Sequence, residues 1–352
     1  MKAKVLIVDD SATMRAIVAN SLKNDPEIEV VGAVGDPLEA RTAIKALDPD
    51  VVTLDIEMPK MDGLSFLEKV MTLRPMPVIM ISSLTQRGAD ASVRALELGA
   101  FDCVAKPAAG QPLREAFADL PAKVKAACRV RMQPRPVRRT AAVTAAADYH
   151  HDGRVVCIGS STGGVEALLQ VVSHFPANCP PTLIVQHMPE NFTRSFAARL
   201  NQACAASVAE AYEGAPVEEG KVWLAPGGLT HLEIAGPVGK PRCHLVSGDP
   251  VSGHRPSVDA LFRSAVRFGD KAVGVILTGM GRDGAAGLLA MRGAGAVTIG
   301  QDEGSSLIYG MPKAAFELGA VAEQMSLQSV GPGILARCRS HSRSVTPCLR
   351  HA

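Results

Sequence analysis

VLIVDD, residues 5–10, runs four apolar residues straight into two aspartates. A short β-branched run closed by carboxylates reads as a buried strand whose end carries chemistry. The same arrangement returns in EVVGAVG (29–35), VVTLDI (51–56), PVIMISS (77–83) and FDCVAK (101–106). Between these runs lie stretches such as MRAIVANSLKN (14–24) and SVRALELG (92–99), whose apolar residues recur at three and four. Strands alternating with helices predict an α/β fold with a five-stranded, doubly wound parallel sheet over residues 1–128. In such a sheet the strand ends share one edge, so Asp9, Asp10, Asp55, Ser82 and Lys106 are expected to meet there.

Clustered carboxylates repel one another unless a cation sits among them, and oxygen ligands of this kind suit Mg²⁺. A lysine and a hydroxyl beside that metal supply what a transferred phosphoryl group needs for its equatorial oxygens. Capping of the following helices, as Ser11 is expected to do, does not by itself explain so many polar strand ends.

From 129 to 152 the pattern dissolves into an Arg-, Pro- and Ala-rich stretch without amphipathic period, read as a flexible linker. A second α/β pattern follows over 153–335: RVVCIGSSTGG (154–164), PTLIVQHMP (181–189), KVWLAPGG (221–228), AVGVILTGMGRDG (272–284) and AVTIG (296–300). Helical stretches such as VEALLQVVSHF (165–175) and VDALFRSAVRF (258–268) lie between. From SVAEAY (207–212) to CHLVSG (243–248) short strands follow one another without helices, so this mostly parallel sheet is expected to include an antiparallel portion. Residues 336–352, polar and basic, read as a frayed tail.

The 352 residues suffice for two cores, and an apolar fraction of 47% makes folding secure. A formal net charge of +2 gives no reason to expect nucleic acid or a membrane surface as partner. The eight cysteines form no CxxC pair and no metal-ligand cluster, so they read as reduced thiols. The apolar run at the start is a strand and too short for a signal peptide, and no stretch approaches the roughly 18 apolar residues of a membrane span. A cytoplasmic monomer without direct membrane insertion is expected.

CIGSSTGG (157–164) places Ser160, Ser161, Thr162 and two glycines between a strand and a helix, a turn that presents hydroxyls and backbone N–H groups. A phosphate loop would bring a lysine after the glycines, whereas Val165 and Glu166 follow, and this turn also lacks GxGxxG. A nucleophilic serine is the better reading, given a base and an orienting acid. His187 ends the next strand and Asp283 lies in the loop after VGVILTGM. HRPSVD (254–259) offers His254 and Asp259 as a rival pair, ranked second because Ser257 reads as an N-cap; Arg255 is placed to meet acidic substrate.

The first set resembles the receiver domain of two-component response regulators. The resemblance implies that Asp55 accepts the phosphoryl group and that Ser82 and Lys106 hold it. It also implies that Asp10 and Asp55, with the Glu57 backbone carbonyl, ligate Mg²⁺, Asp9 assisting through water. Where receivers carry an aromatic switch residue, three before the lysine, this chain has Cys103.

GSSTGG, QHMP, HRPSVD and TGMGRDG, in that order behind a receiver, resemble the protein-glutamate methylesterases of bacterial chemotaxis. The resemblance makes Ser161, not Ser160, the nucleophile, His187 its base and Asp283 the orienting acid, with Thr162 and the Met280 N–H stabilising the oxyanion. It implies hydrolysis of glutamate methyl esters on chemoreceptors, deamidation of receptor glutamines, no cofactor for hydrolysis, a chemotaxis histidine kinase as phosphodonor, and a receiver that covers the Ser161 cleft until phosphorylated. Two other classes compete. One is a receiver joined to an idle binding module. The other is a DNA-binding regulator, disfavoured because no helix-turn-helix pattern is present.

Overall fold

The computed structural model describes residues 2–59, 61–107, 117–130 and 149–340. Most of the expected linker and the last residues of the expected tail lie outside these.

The first domain runs β1 (Ala3–Val8), α1 (Ala12–Lys23), β2 (Ile28–Val34), α2 (Pro37–Leu47), β3 (Val51–Asp55), α3 (Gly63–Leu73), β4 (Val78–Ser82), α4 (Gln86–Glu97), β5 (Asp102–Ala105) and α5 (Leu120–Ala127). Its strands are all parallel, in the order β2-β1-β3-β4-β5. Successive β1 residues feed opposite faces: Leu6 and Val8 enter one apolar cluster, Val5 and Ile7 the other. Helices cover both faces, which is why the strands read as unbroken apolar runs. Ser11, Asp36, Asp62 and Thr85 cap the first four helices through their side-chain oxygens.

The second domain runs β6 (Val155–Ser160), α6 (Gly164–Val172), β7 (Thr182–Gln186), α7 (Phe192–Ala203), β8 (Ser207–Glu210), β9 (Lys221–Leu224), β10 (Thr230–Ala235), β11 (Arg242–Ser247), α8 (Val258–Ala265), β12 (Ala272–Ile276), α9 (Ala285–Gly293), β13 (Val297–Gln301), α10 (Met311–Glu317), β14 (Glu323–Met325) and α11 (Leu327–Arg337). Seven strands form one sheet in the order β14-β13-β12-β6-β7-β9-β8, every pair parallel. The expected antiparallel portion exists, but as a separate two-stranded sheet of β10 and β11. In the main sheet β9 lies between β7 and β8, parallel to both, and buries Val222, Trp223 and Leu224. Strand order reverses at β6: the chain continues to β7 on one side and returns as β12 on the other. That crevice is where open α/β sheets bind ligands.

The expected tail and linker need correction at their inner ends. Residues 327–337 form a helix that buries Val330 and Ile334, and Cys338 is buried beyond it. These apolar residues recur every four positions, so burial on the domain overrides the breaker signal of GPG at 331–333. Tyr149 is buried and donates to the Leu335 carbonyl at 3.2 Å, while His151 bridges to Arg339, so residues 149–152 belong to the packed domain.

The two domains touch along α4. Val93 of α4 joins an apolar cluster of the second domain, and Phe192 of α7 joins one of the first. Gln86 Nε2 donates to Ser195 Oγ at 2.7 Å, and Arg199 pairs with Glu97.

Candidate active site

At the strand-end edge of the first domain, Asp9 and Asp10 follow β1, Asp55 ends β3 and Lys106 follows β5. One carboxylate oxygen from each aspartate lies within 4.8 Å of the others, the only such cluster of ligating side chains among the described residues. Lys106 Nζ is 2.8 Å from Asp55 Oδ1 and 3.7 Å from Asp9 Oδ2. One cation faces two buried carboxylates, and Asp9 Oδ2 and Asp55 Oδ2 are buried without a hydrogen bond. Burial first, then the charge of Asp55, pushes the Asp9 carboxyl up to about 6. Burial also raises Asp55, against the hydrogen bond and charge of Lys106. Orphaned oxygens and uncompensated charge are what a hard cation would satisfy, so the residues fit a divalent ion with oxygen ligands.

Glu57 sits two residues past Asp55 with its side chain exposed. Ser82 is buried at the end of β4, but its hydroxyl donates to the Gly88 carbonyl at 3.0 Å, inside the first turns of α4, and not to the carboxylate cluster. Cys103 is buried too, with Sγ 3.6 Å from the Ser92 carbonyl of the same helix.

In the second domain Ser161, His187 and Asp283 come from the loops after β6, β7 and β12, the strands flanking the reversal. Ser160, the last residue of β6, points into the domain: it is fully buried and donates to Gln186 Oε1 at 2.7 Å. Ser161 is partly exposed, and its Oγ takes no hydrogen bond among the described residues. The Ser161 N–H is tied to the Thr278 carbonyl at 3.0 Å. Gly163 lies at φ +79°, and a Cβ on Gly279 would meet the Ser161 Cβ at 2.8 Å, so the two loops close on the serine only because glycine stands there.

His187 Nε2 is 2.9 Å from Asp283 Oδ2, and its Nδ1 is buried without a partner. Asp283 is fully engaged. Its Oδ2 also accepts from Val258 N at 2.7 Å, and its Oδ1 from Ser257 Oγ at 2.8 Å and Asp259 N at 3.0 Å. Burial alone would raise this carboxyl, but the His187 hydrogen bond and charge and the amides of Asp259 and Val258 outweigh it, holding Asp283 below the usual carboxylate range. Those amides open α8, so the helix N-terminus adds its field.

Among the described residues the rival acid does not reach a histidine. Asp259 accepts from Gly287 N at 2.7 Å and so fastens α9 to α8. Arg255 is committed to the carbonyls of Gly228 and Gly248, both at 2.7 Å. HRPSVD contributes in other ways: Ser257 caps α8 and also donates to Asp283, and the His254 ring stacks on His187. Gln186 braces the two loops, donating to the carbonyls of Ser161 at 2.8 Å and His187 at 3.0 Å. Its only sequence signal is its place beside His187. GxGxxG spacing does occur, at 279–284, but its first glycine makes room for Ser161 and its last, at φ +88°, for Val258.

Thr162 Oγ1 donates to Asp102 Oδ2 of the first domain at 2.7 Å. Asp102 is itself 3.3 Å from Lys123 Nζ, also 3.2 Å from Asp119. Ser161, Thr162, His187, Asp102, Cys103 and Lys123 line one cavity between the domains.

The sequence pattern described as CheB methylesterase matches residues 156–334, and that of the response regulator receiver domain matches residues 5–118. The chain belongs to the CheB methylesterase family. It is 61% identical to a Caulobacter vibrioides protein named protein-glutamate methylesterase/protein-glutamine glutaminase 1, covering 95% of this chain and 97% of that protein. An Agrobacterium fabrum protein of the same name without the numeral is 61% identical, with 95% and 96% covered. The crystal structure of the Thermotoga maritima CheB methylesterase catalytic domain covers 53% of this chain and 98% of its own at 35% identity, with a TM-score of 0.51. The first domain is thus a receiver and the second a CheB methylesterase domain, as the motifs implied.

Proposed function

We propose that the second domain hydrolyses the γ-methyl esters of glutamates on chemoreceptors, and deamidates receptor glutamines, through Ser161, His187 and Asp283. The observation that carries this reading is the asymmetry of His187: Nε2 is bound to a four-donor carboxylate, while Nδ1 is buried and unpartnered. With its N–H on Nε2, the ring keeps a lone pair on Nδ1 for the serine proton. Ser161 Oγ attacks the carbonyl carbon, Nδ1 takes the proton, and the oxyanion meets Thr162 Oγ and the Met280 N–H. Nδ1 then returns the proton to departing methanol, or to ammonia from glutamine. Water repeats the attack on the acyl-serine and frees the glutamate. The hydrolysis uses no cofactor.

The receiver regulates this site. With the domains docked, the Thr162 hydroxyl is occupied by Asp102, so an oxyanion donor is blocked by a carboxylate of the chain itself. Asp55 is the phosphoacceptor, and Lys106 faces the incoming group. Asp10, Asp55 and the Glu57 carbonyl would hold Mg²⁺, with Asp9 behind them. Mg²⁺ supplies the neutralisation that lets a carboxylate approach a phosphoryl group. Phosphorylation offers Ser82 a charged acceptor in place of the Gly88 carbonyl, and loss of that bond loosens the start of α4, the helix that docks on the second domain. This route runs through α4 and does not depend on an aromatic residue at Cys103.

The phosphodonor is a chemotaxis histidine kinase. The protein works as a cytoplasmic monomer, without nucleic acid. No described helix is long and apolar enough to cross a membrane. The test is methanol release from methylated receptor membranes alongside labelling by a fluorophosphonate. Ser161→Ala is expected to lose both, and label persisting in that variant would remove the serine from its role.

A further inference from the structure

His187 has one fixed end. The Nε2 bond to Asp283, 2.9 Å long, selects which ring edge faces the acid, but one hydrogen bond leaves the ring free to tilt about its axis. The tilt is removed by a neighbour: the His254 ring lies on His187 with centroids 3.7 Å apart and planes within 10°. His254 is itself held on both sides. Its backbone exchanges hydrogen bonds of 3.0 and 3.1 Å with Val251, and the guanidinium of the next residue, Arg255, grips the carbonyls of Gly228 and Gly248.

The geometry points to His254 as a positioning residue for the hydrolase, its ring serving as a plate that keeps His187 Nδ1 aimed for proton transfer. This rests on His187 being the general base. The reaction puts a positive charge on His187, and a plate that charged at the same pH would oppose it. The charged groups around His254 are His187 and Asp283 from its own domain and Lys123 and Asp119 from the receiver. Burial, then the charge of His187, pushes His254 down to about 4. Above about pH 5 the imidazolium of His187 therefore meets a neutral aromatic face, which favours a cation.

The test uses the full-length phosphorylated protein and methylated receptor membranes, with kcat and KM measured from about pH 5.5 to about 8.5. His254→Ala is expected to lower kcat about 10- to 100-fold, because a small misalignment of a proton-transfer group is costly. KM should stay within about twofold, since substrate binding does not use the plate. His254→Phe, a flat ring that cannot titrate, is expected to recover kcat to within about threefold with an unchanged acid limb. Should His254→Ala fail to fold, His254→Leu, which fills the volume without a flat ring, takes its place with the same expected loss. Ser161→Ala runs in parallel: if it retains activity, the reading beneath the proposal has failed. If Ser161→Ala is inactive and His254→Ala is not slower, or Phe does no better than Ala or Leu while melting like wild type, the plate is overturned. A displaced acid limb in His254→Phe overturns it too, by making His254 a proton carrier.

Discussion

Asp55 and Asp283 are both fully buried aspartates beside the C-terminal ends of parallel strands, each within hydrogen-bond reach of one basic side chain. Their environments push them in opposite directions. Burial, with the charge of Asp10 adding to it, raises the Asp55 carboxyl against Lys106 and the Glu57 amide, and its Oδ2 is left without a hydrogen bond. Asp283 receives four hydrogen bonds, two from amides that open a helix, and is held low. In the proposed function, the number of donors is what separates the carboxylate open to a metal and a phosphoryl group from the one that only orients its neighbour. Burial alone does not distinguish them.

That contrast is most exposed at Asp283. In Asp283→Asn one of the two oxygens becomes an amide facing a donor, so the base loses its tautomer and α8 loses an anchor. Ester hydrolysis is expected to fall roughly 10⁴-fold, with stability down by about 3 kcal/mol, checked by methanol release and thermal unfolding. A rate near wild type would overturn Asp283 as the orienting acid.

The next effect concerns the carboxylate that crosses between the domains. Asp102→Asn keeps an acceptor for Thr162 but removes the charge that pairs with Lys123. Activity of the unphosphorylated protein should rise about tenfold, while that of the phosphorylated protein stays the same. Equal basal rates in variant and wild type would mean that the contacts along α4, apolar and polar, keep the domains closed without the Asp102 charge.

The smallest effect is on stability, and its sign divides the two sites. The folded Asp9 value of about 6 exceeds the ordinary 3.8. The stability linked to this group is therefore fully present below about pH 4 and lost as pH rises through about 6. Without Mg²⁺, Asp9→Asn should stabilise the receiver by about 2–3 kcal/mol at neutral pH and hardly at all near pH 4. Asp283, held low, contributes stability present at neutral pH and lost as pH falls below the carboxylate range. Thermal unfolding across this range, with and without Mg²⁺, distinguishes the two, and Mg²⁺ should erase the Asp9 effect only.

Strand-end chemistry was legible along the chain because parallel sheets gather their strand ends at one edge, and that is enough to collect Asp9, Asp10, Asp55 and Lys106, or Ser161, His187 and Asp283. The period of two or of 3.6 likewise marks strands and helices locally. What the sequence left undecided depends on distances between segments far apart in it. Ser160 and Ser161 are adjacent and chemically identical, and only the packing of β6 against Gln186 turns one inward and leaves the other at the cleft. Ser82 stands at the right strand end, yet its hydroxyl bonds to α4, because a rotatable O–H takes the acceptor that the fold brings nearest. Two α/β units, and the residue types able to carry phosphoryl transfer and ester hydrolysis, can be read along the chain, since both follow from local periodicity and strand-end placement. That Asp102 of one unit occupies Thr162 of the other, and that His254 lies flat on His187, was settled by the packing of distant segments, because neither contact is encoded by spacing along the chain.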